Sequence, residues 1–152
     1  MFVYRIAKKK HIEDLSGTGA RLYGGRWNRK GIGLVYTSES RALALVEFLV
    51  NVPFSILPRK LCIAAVEIKD EIRPKEIPLE ELPKNWGKFP APQELAEIGS
   101  KWAVSNESLA LRVPSAVVPH EFNILLNSSH PDMRHVAIAD VVAFDFKIHY
   151  MA

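Results

Sequence analysis

The apolar positions of this chain fall into short alternating or continuous runs, separated by two stretches with helical spacing. Phe2 to Ile6 alternates and predicts a first strand. His11 to Ala20 is polar and carries Gly17 and Gly19, so it predicts a loop or a short helix ending there. Gly33 to Thr37 predicts a short strand with Leu34 and Tyr36 on one face and Val35 and Thr37 on the other. Ser38-Glu39-Ser40-Arg41 supplies helix-starting chemistry, a serine able to cap and an acid for the first turn. The helix runs to about Asn51, because Pro53 disfavours helical backbone just before it. Leu61 to Ile68 is a strand too continuously apolar to be an exposed edge. From Asp70 to Pro92 the prolines at 74, 78, 83, 90 and 92 mark a long, stiff surface connection with one short strand at most. Pro92 opens a second helix with Leu95, Ile98 and Trp102 on one face. Leu109 to Val113, Ala116 to Val118, Phe122 to Leu126 and Val141 to Ile148 are strand-like runs divided by Pro114, Pro119 and Pro131. Two clear helices and about six strands without βαβ alternation predict an α+β fold. Its mixed sheet is mainly antiparallel with flanking helices, in a single domain over 1–152.

One position breaks the pattern. From Ala42 to Val50 the sequence is ALALVEFLV, and Glu47 is its only polar side chain. A helix apolar on all sides is normally buried, and an unpartnered carboxylate there carries a desolvation cost of several kcal/mol. Three and four residues away stand Leu43, Ala44, Val50 and Asn51, none of them a cation. A cationic partner is therefore distant in sequence, or is a ligand. The segment just before this helix, from Gly24 and Gly25 through Arg26 to Gly31, Gly33 and Tyr36, is rich in glycines that let backbone approach a ligand.

Composition narrows the classes. With 152 residues, 48% apolar and 24% charged, the chain is an ordinary globular protein long enough for a substantial core. The apolar run around Glu47 is too short to span a bilayer, and Phe2 to Ile6 precedes the lysines, the wrong order for a signal peptide. The single cysteine, Cys62, sits in an apolar run and reads as a core thiol in a reducing cytoplasm. A net charge of +3 and the short run Lys8-Lys9-Lys10, without interleaved aromatics, read as a solvated turn. No direct nucleic-acid contact and no membrane contact are expected. The phosphate-binding P-loop, the dinucleotide G-x-G-x-x-G and the common zinc spacings are all absent. His130 and His135 flank Pro131, which disrupts helical spacing, so they read as turn or capping residues, and no metal is expected. Ser115 lacks the flanking glycines of a hydrolase elbow and reads as a turn hydroxyl after proline. Singly, Arg21 and Arg26 are surface charge and Tyr36 a strand aromatic. Their concentration around one glycine-rich strand–helix corner sets them apart.

Five separated blocks then become recognisable: Gly25-Arg26-Trp27-Asn28, Leu34 to Ser38, Ala42 to Glu47, Leu111 to Ser115, and Asn123 to Asp132. Together, in order, they resemble the RES-domain family, named for an Arg, a Glu and a Ser that fall here on Arg26, Glu47 and Ser115. The resemblance implies an ADP-ribosyltransferase-like fold and a bacterial toxin that consumes NAD. It implies catalytic roles for Arg26, Tyr36, Glu47 and Ser115, and NAD contacts from Arg21, Gly25, Arg26, Tyr36, Asn123 and His130. The implied partner is an Xre-type helix-turn-helix antitoxin. The implied chemistry is cleavage of the nicotinamide–ribose bond with inorganic phosphate or water as acceptor. Alternatives are transfer of ADP-ribose to a protein side chain, or a non-catalytic nucleotide- or partner-binding module. One departure is Ser128, where the family pattern has proline; it is expected to alter a turn and leave the chemistry intact. A homo-oligomer stays open.

Overall fold

The computed structural model describes residues 1–145. The strands are β1 (Phe2–Lys8), β2 (Leu34–Ser38), β3 (Leu61–Ile68), β4 (Lys75–Glu76), β5 (Ala110–Pro114), β6 (Phe122–Asn127) and β7 (Val136–Phe144), and the helices are α1 (Thr18–Tyr23), α2 (Arg41–Asn51) and α3 (Gln93–Ser105). The strands form one sheet in the order β4-β5-β6-β2-β1-β3-β7. Among the described residues β4 and β5 run parallel and the other neighbouring strands are antiparallel. The α+β, mainly antiparallel architecture read from the periodicity is thus the one found.

Side-chain alternation divides the sheet into two faces. Val3, Val35, Ala64, Val66, Ile124 and Leu126 face one way and build a hydrocarbon core closed by Ile12, Leu15, Ile72 and Met133 from the loops. Leu34, Tyr36, Leu111, Val113 and Leu125 face the other way, under Leu95, Trp102 and Ala103 of α3. On that second face α2 lies against β1 and β2. The amide NH2 of Asn127 on β6 reaches the Ala103 carbonyl at 2.9 Å and Asn106 Oδ1 at 3.0 Å, which ties the end of α3 to the sheet.

The sheet is split at its middle. β1 and β2 pair at one position, Tyr4 opposite Ser38, whereas β2 pairs with β6 along its whole length. The strands diverge beyond that pair, and Tyr36 stands at the opening with cavities on either side.

Several sequence expectations need correction. The helix cap is Ser40, whose hydroxyl accepts from the Leu43 N–H at 3.0 Å. Glu39 therefore lies before the cap and not in the first turn; it pairs with Arg112 of β5 at 3.0 Å. Only Leu43 and Ala44 of α2 are fully buried and Val50 is exposed, so the helix rests on the sheet without being enclosed by it. Ala116 to Val118 is a turn and not a strand, because the Ser115 hydroxyl takes the N–H groups of Val117 and Val118 at 3.0 Å each. β7 begins at Val136, five residues earlier than expected; the 146–148 part of the expected strand lies outside the described residues. Ser128 donates to the Gly33 carbonyl at 2.9 Å, joining the end of β6 to the approach to β2.

Candidate active site

The site starts from the glycine-rich turn. Gly24 adopts φ 74°, and Gly25 and Asn28 exchange backbone hydrogen bonds across Arg26 and Trp27. This tight turn sends neighbouring side chains in opposite directions: Trp27 enters the core and is buried, while Arg26 lines a cleft. Asn28, also buried, holds the turn shut. Its NH2 faces the carbonyls of Ala20, Ile32 and Arg29 at 2.8, 3.0 and 3.2 Å. Its Oδ1 accepts the Tyr36 hydroxyl at 2.6 Å, and that hydroxyl accepts the Trp27 N–H at 3.0 Å. A methyl group on Gly25 would run into the Tyr36 hydroxyl, so glycine is required there by packing. Gly99 of α3 is required similarly, since a methyl would overlap the Trp27 carbonyl, and Ser100 accepts the Arg29 N–H at 2.9 Å. α3 and β2 together therefore fix where Arg26 stands.

The cleft has a volume of about 400 Å³ and is lined by Gly25, Arg26, Tyr36, Glu47 and Asn123, with Phe89 at its margin. Arg26 is held by the carbonyls of Trp86 at 3.0 Å and Lys88 at 3.1 Å, with its guanidinium 4.3 Å from the centre of the Phe89 ring. Those carbonyls use two of the five guanidinium N–H groups, leaving three for an anion. Burial lowers the Arg26 pKa, opposed by the nearby Glu47 and Tyr36; an arginine remains charged nonetheless. Burial also raises the Tyr36 phenol well above its ordinary value, opposed by the Trp27 N–H bond and by Arg26, so Tyr36 is a neutral donor.

Glu47 reaches the cleft from α2, and its partners are neutral. Ser115 Oγ donates to Glu47 Oε1 at 2.6 Å, and Asn123 Nδ2 donates to the same oxygen at 2.8 Å. The expected distant cation is thus replaced by a hydroxyl and an amide, with Arg26 acting through space. Ser38 donates to Asn123 Oδ1 at 2.7 Å, which keeps the amide NH2 turned toward the carboxylate. Ser115 is itself buried behind Pro114 and Ala116, which line the cleft in its place. It donates to Glu47 and accepts the N–H groups of Val117 and Val118, and it does not itself line the cleft.

Two residues implied as NAD contacts lie elsewhere. Arg21 is exposed on the last turn of α1 and does not line the cleft. His130 caps the short 3-10 turn Pro131–His135, its Nδ1 accepting the Asp132 N–H at 3.0 Å, away from the cleft and in keeping with a capping role. Phe89 gave no chemical signal in the sequence, and Asn28 appeared there only as the last residue of the block Gly25-Arg26-Trp27-Asn28. Among the described residues no group of three or more metal-ligating side chains gathers, and no helix is long and apolar enough to cross a membrane.

The family model for the RES domain matches residues 2–147. This chain belongs to the RES-domain toxin family. Among its RES-domain relatives, the "Prs ADP-ribosylating toxin" of Sphingobium sp. (strain YBL2) is 39% identical over 132 residues, covering 86% of this chain and 82% of that protein. A "Toxin Res" of Photorhabdus laumondii subsp. laumondii is 38% identical over 150 residues, covering 97% of this chain and 94% of that one. In fold, the RES chain matches a chain of the M. tuberculosis MbcT–MbcA toxin–antitoxin complex, with a TM-score of 0.75 at 17% identity over 95% of this chain and 84% of that one.

Proposed function

We propose that this protein is the toxin of a toxin–antitoxin pair and that it destroys NAD by cleaving the nicotinamide–ribose bond, with phosphate or water as acceptor. The observation that carries this reading is Glu47, held at one oxygen by Ser115 and Asn123 on the same cleft as Arg26. Bond cleavage builds positive charge on the ribose in an oxocarbenium-like transition state. A fixed carboxylate stabilises that charge more than it stabilises the ground state, which is the condition for acceleration. With Oε1 occupied, Oε2 is the oxygen left for the ribose. Arg26 grips pyrophosphate through its remaining donors, and Gly25 lets backbone come close to it. Tyr36, a neutral phenol fixed by Asn28 and Trp27, forms the wall beside the reacting ribose.

The test is nicotinamide release from NAD by purified protein, with and without inorganic phosphate. No release in either condition sinks the reading. A second reading, transfer of ADP-ribose to a protein, is favoured by the relative named for that activity. Labelled NAD with cell lysate separates the two, since label on protein appears only in transfer. The proposed antitoxin is of the Xre type and carries the DNA contact. Tight binding of duplex DNA by this chain alone at physiological salt would contradict that division.

A further inference from the structure

We infer that Phe89 is the stacking platform for the adenine base of the bound dinucleotide, an assignment that rests on the reading of the cleft as an NAD site. Phe89 is 58% exposed, a large aromatic side chain left in water at the edge of the cleft. Isolated exposed apolar residues are common, but this one stands beside the cation proposed to grip phosphate. The Arg26 guanidinium sits over its ring at 4.3 Å, and the carbonyls of Trp86 and Lys88 hold that guanidinium in place. One ring face is therefore backed by a fixed charge, and the exposure belongs to the rest of the ring.

Position along the cleft decides which base it meets. A second cavity of about 240 Å³ adjoins the cleft and shares Tyr36, Glu47, Asn51 and Asn123 with it. Arg26 and Phe89 line the main cleft and not the second cavity. The Arg26 guanidinium links the two ends of this set, interacting with Glu47 on one side and covering the Phe89 ring on the other. In NAD the order is nicotinamide ribose, pyrophosphate, adenosine. With the reacting ribose at Glu47 and pyrophosphate at Arg26, adenosine follows at Phe89. Of the other aromatic residues of the cleft, Trp27 is buried in the core and Tyr36 stands beside Glu47, at the place assigned to the reacting ribose. Stacking on an aromatic side chain is indifferent to which base is presented, so selectivity for adenine over other bases at this position is low.

The test is calorimetric binding of ADP-ribose and of inorganic pyrophosphate to wild type, Phe89→Ala and Phe89→Trp. Phe89→Ala is expected to weaken ADP-ribose by roughly 5- to 150-fold, the loss of one base–aromatic stack, and pyrophosphate far less. Phe89→Trp is expected to keep ADP-ribose affinity. Equal weakening of both probes overturns the proposal, because Phe89 then only supports Arg26. Unchanged ADP-ribose binding in Phe89→Ala overturns it too, as does failure of wild type to bind ADP-ribose. Nicotinamide release is measured in parallel. Phe89-dependent binding without release defeats the NAD-cleavage reading alone, and release with Phe89-independent binding defeats the stacking assignment alone.

Discussion

The two faces of the strand pair β2–β6 use the same alternation for opposite ends. Val35, Ile124 and Leu126 face into hydrocarbon, and the Thr37 hydroxyl there is spent on the Ile124 carbonyl at 2.7 Å. One residue along, Tyr36, Ser38 and Asn123 face the cleft side; Ser38 and Asn123 form a hydrogen-bonded chain that ends on Glu47, and Tyr36 bonds the turn at Trp27 and Asn28. Adjacent positions on the same strands are thus assigned to stability on one side and to chemistry on the other. The lesson is physical: a pleated strand presents two independent surfaces, and a stiff apolar face beneath the sheet is what holds the polar face above it to fixed distances.

The largest effect expected from breaking this division lies on the apolar side. Leu126 is fully buried in the hydrocarbon core, so Leu126→Ala removes packing that no neighbour replaces. A loss of about 2–5 kcal/mol in unfolding free energy is expected, with nicotinamide release per folded molecule retained below the melting transition. Denaturant unfolding alongside the activity assay checks both. A stable Leu126→Ala protein with lost turnover would show that the two faces are not separable.

The converse variant is Glu47→Gln, which keeps shape and removes charge. If the carboxylate acts on the developing ribose cation, turnover falls by about 100- to 1000-fold, roughly 3–4 kcal/mol of barrier, while KM moves little. The melting temperature should hold or rise, since a partly buried charge has gone. Near-normal turnover by folded Glu47→Gln protein would make Glu47 a structural residue and defeat the mechanism.

Asn123→Ala sharpens the comparison within the polar face. It takes away one of the two donors on Oε1 and leaves Ser115 in place. Hydrogen bonds to charged groups contribute about 1.5–3 kcal/mol, so a fall of about 10- to 100-fold in kcat is expected with a smaller change in KM. A change confined to KM would reassign Asn123 to substrate binding.

Where sequence reading succeeded and failed follows the same physics. The alternation in β2, the end of α2 before Pro53 and the interior character of β3 are local consequences of side-chain type and proline, and each was legible. Glu47 was legible as an anomaly because one charge in an apolar run needs an explanation. Its partners were not legible from local pattern, because Ser115 and Asn123 are neutral and stand 68 and 76 residues away; only the family resemblance brought Ser115 to Glu47. Helical i, i+4 reasoning searches only for local charges. Ala116 to Val118 was misread as a strand because its apolar character says nothing of the Ser115 hydroxyl that bends it. The early start of β7 was missed because an edge strand, exposed over most of its length, shows little contrast between its two faces. His130 was legible as a turn or capping residue beside Pro131, and its Nδ1 does accept the Asp132 N–H.

The smallest effect concerns pH, and it falls on the residue where the two functions meet. Tyr36 lines the cleft, yet its hydroxyl joins the Trp27 N–H to Asn28 Oδ1 and so also holds the turn. Burial raises its pKa well above the ordinary tyrosine value of about 10. Above that pH an unfolded chain releases the proton and the folded chain keeps it, so the unfolded state binds fewer protons and stability falls as pH rises. The contribution is complete below about pH 10 and declines above it, with a limiting slope of about 1.4 kcal/mol per pH unit for one proton. Tyr36→Phe removes the titrating group. It lowers stability at neutral pH by about 1–3 kcal/mol, because the Trp27 N–H and Asn28 Oδ1 lose their partner. Its stability should nevertheless decline less steeply between pH 10 and 11 than that of wild type. Denaturant unfolding of both proteins at pH 8, 10 and 11 measures the difference in slope, in which every other titrating group cancels. Parallel curves would mean that the Tyr36 phenol titrates as it does in the unfolded chain, and the neutral donor assigned to the turn would have to be given up.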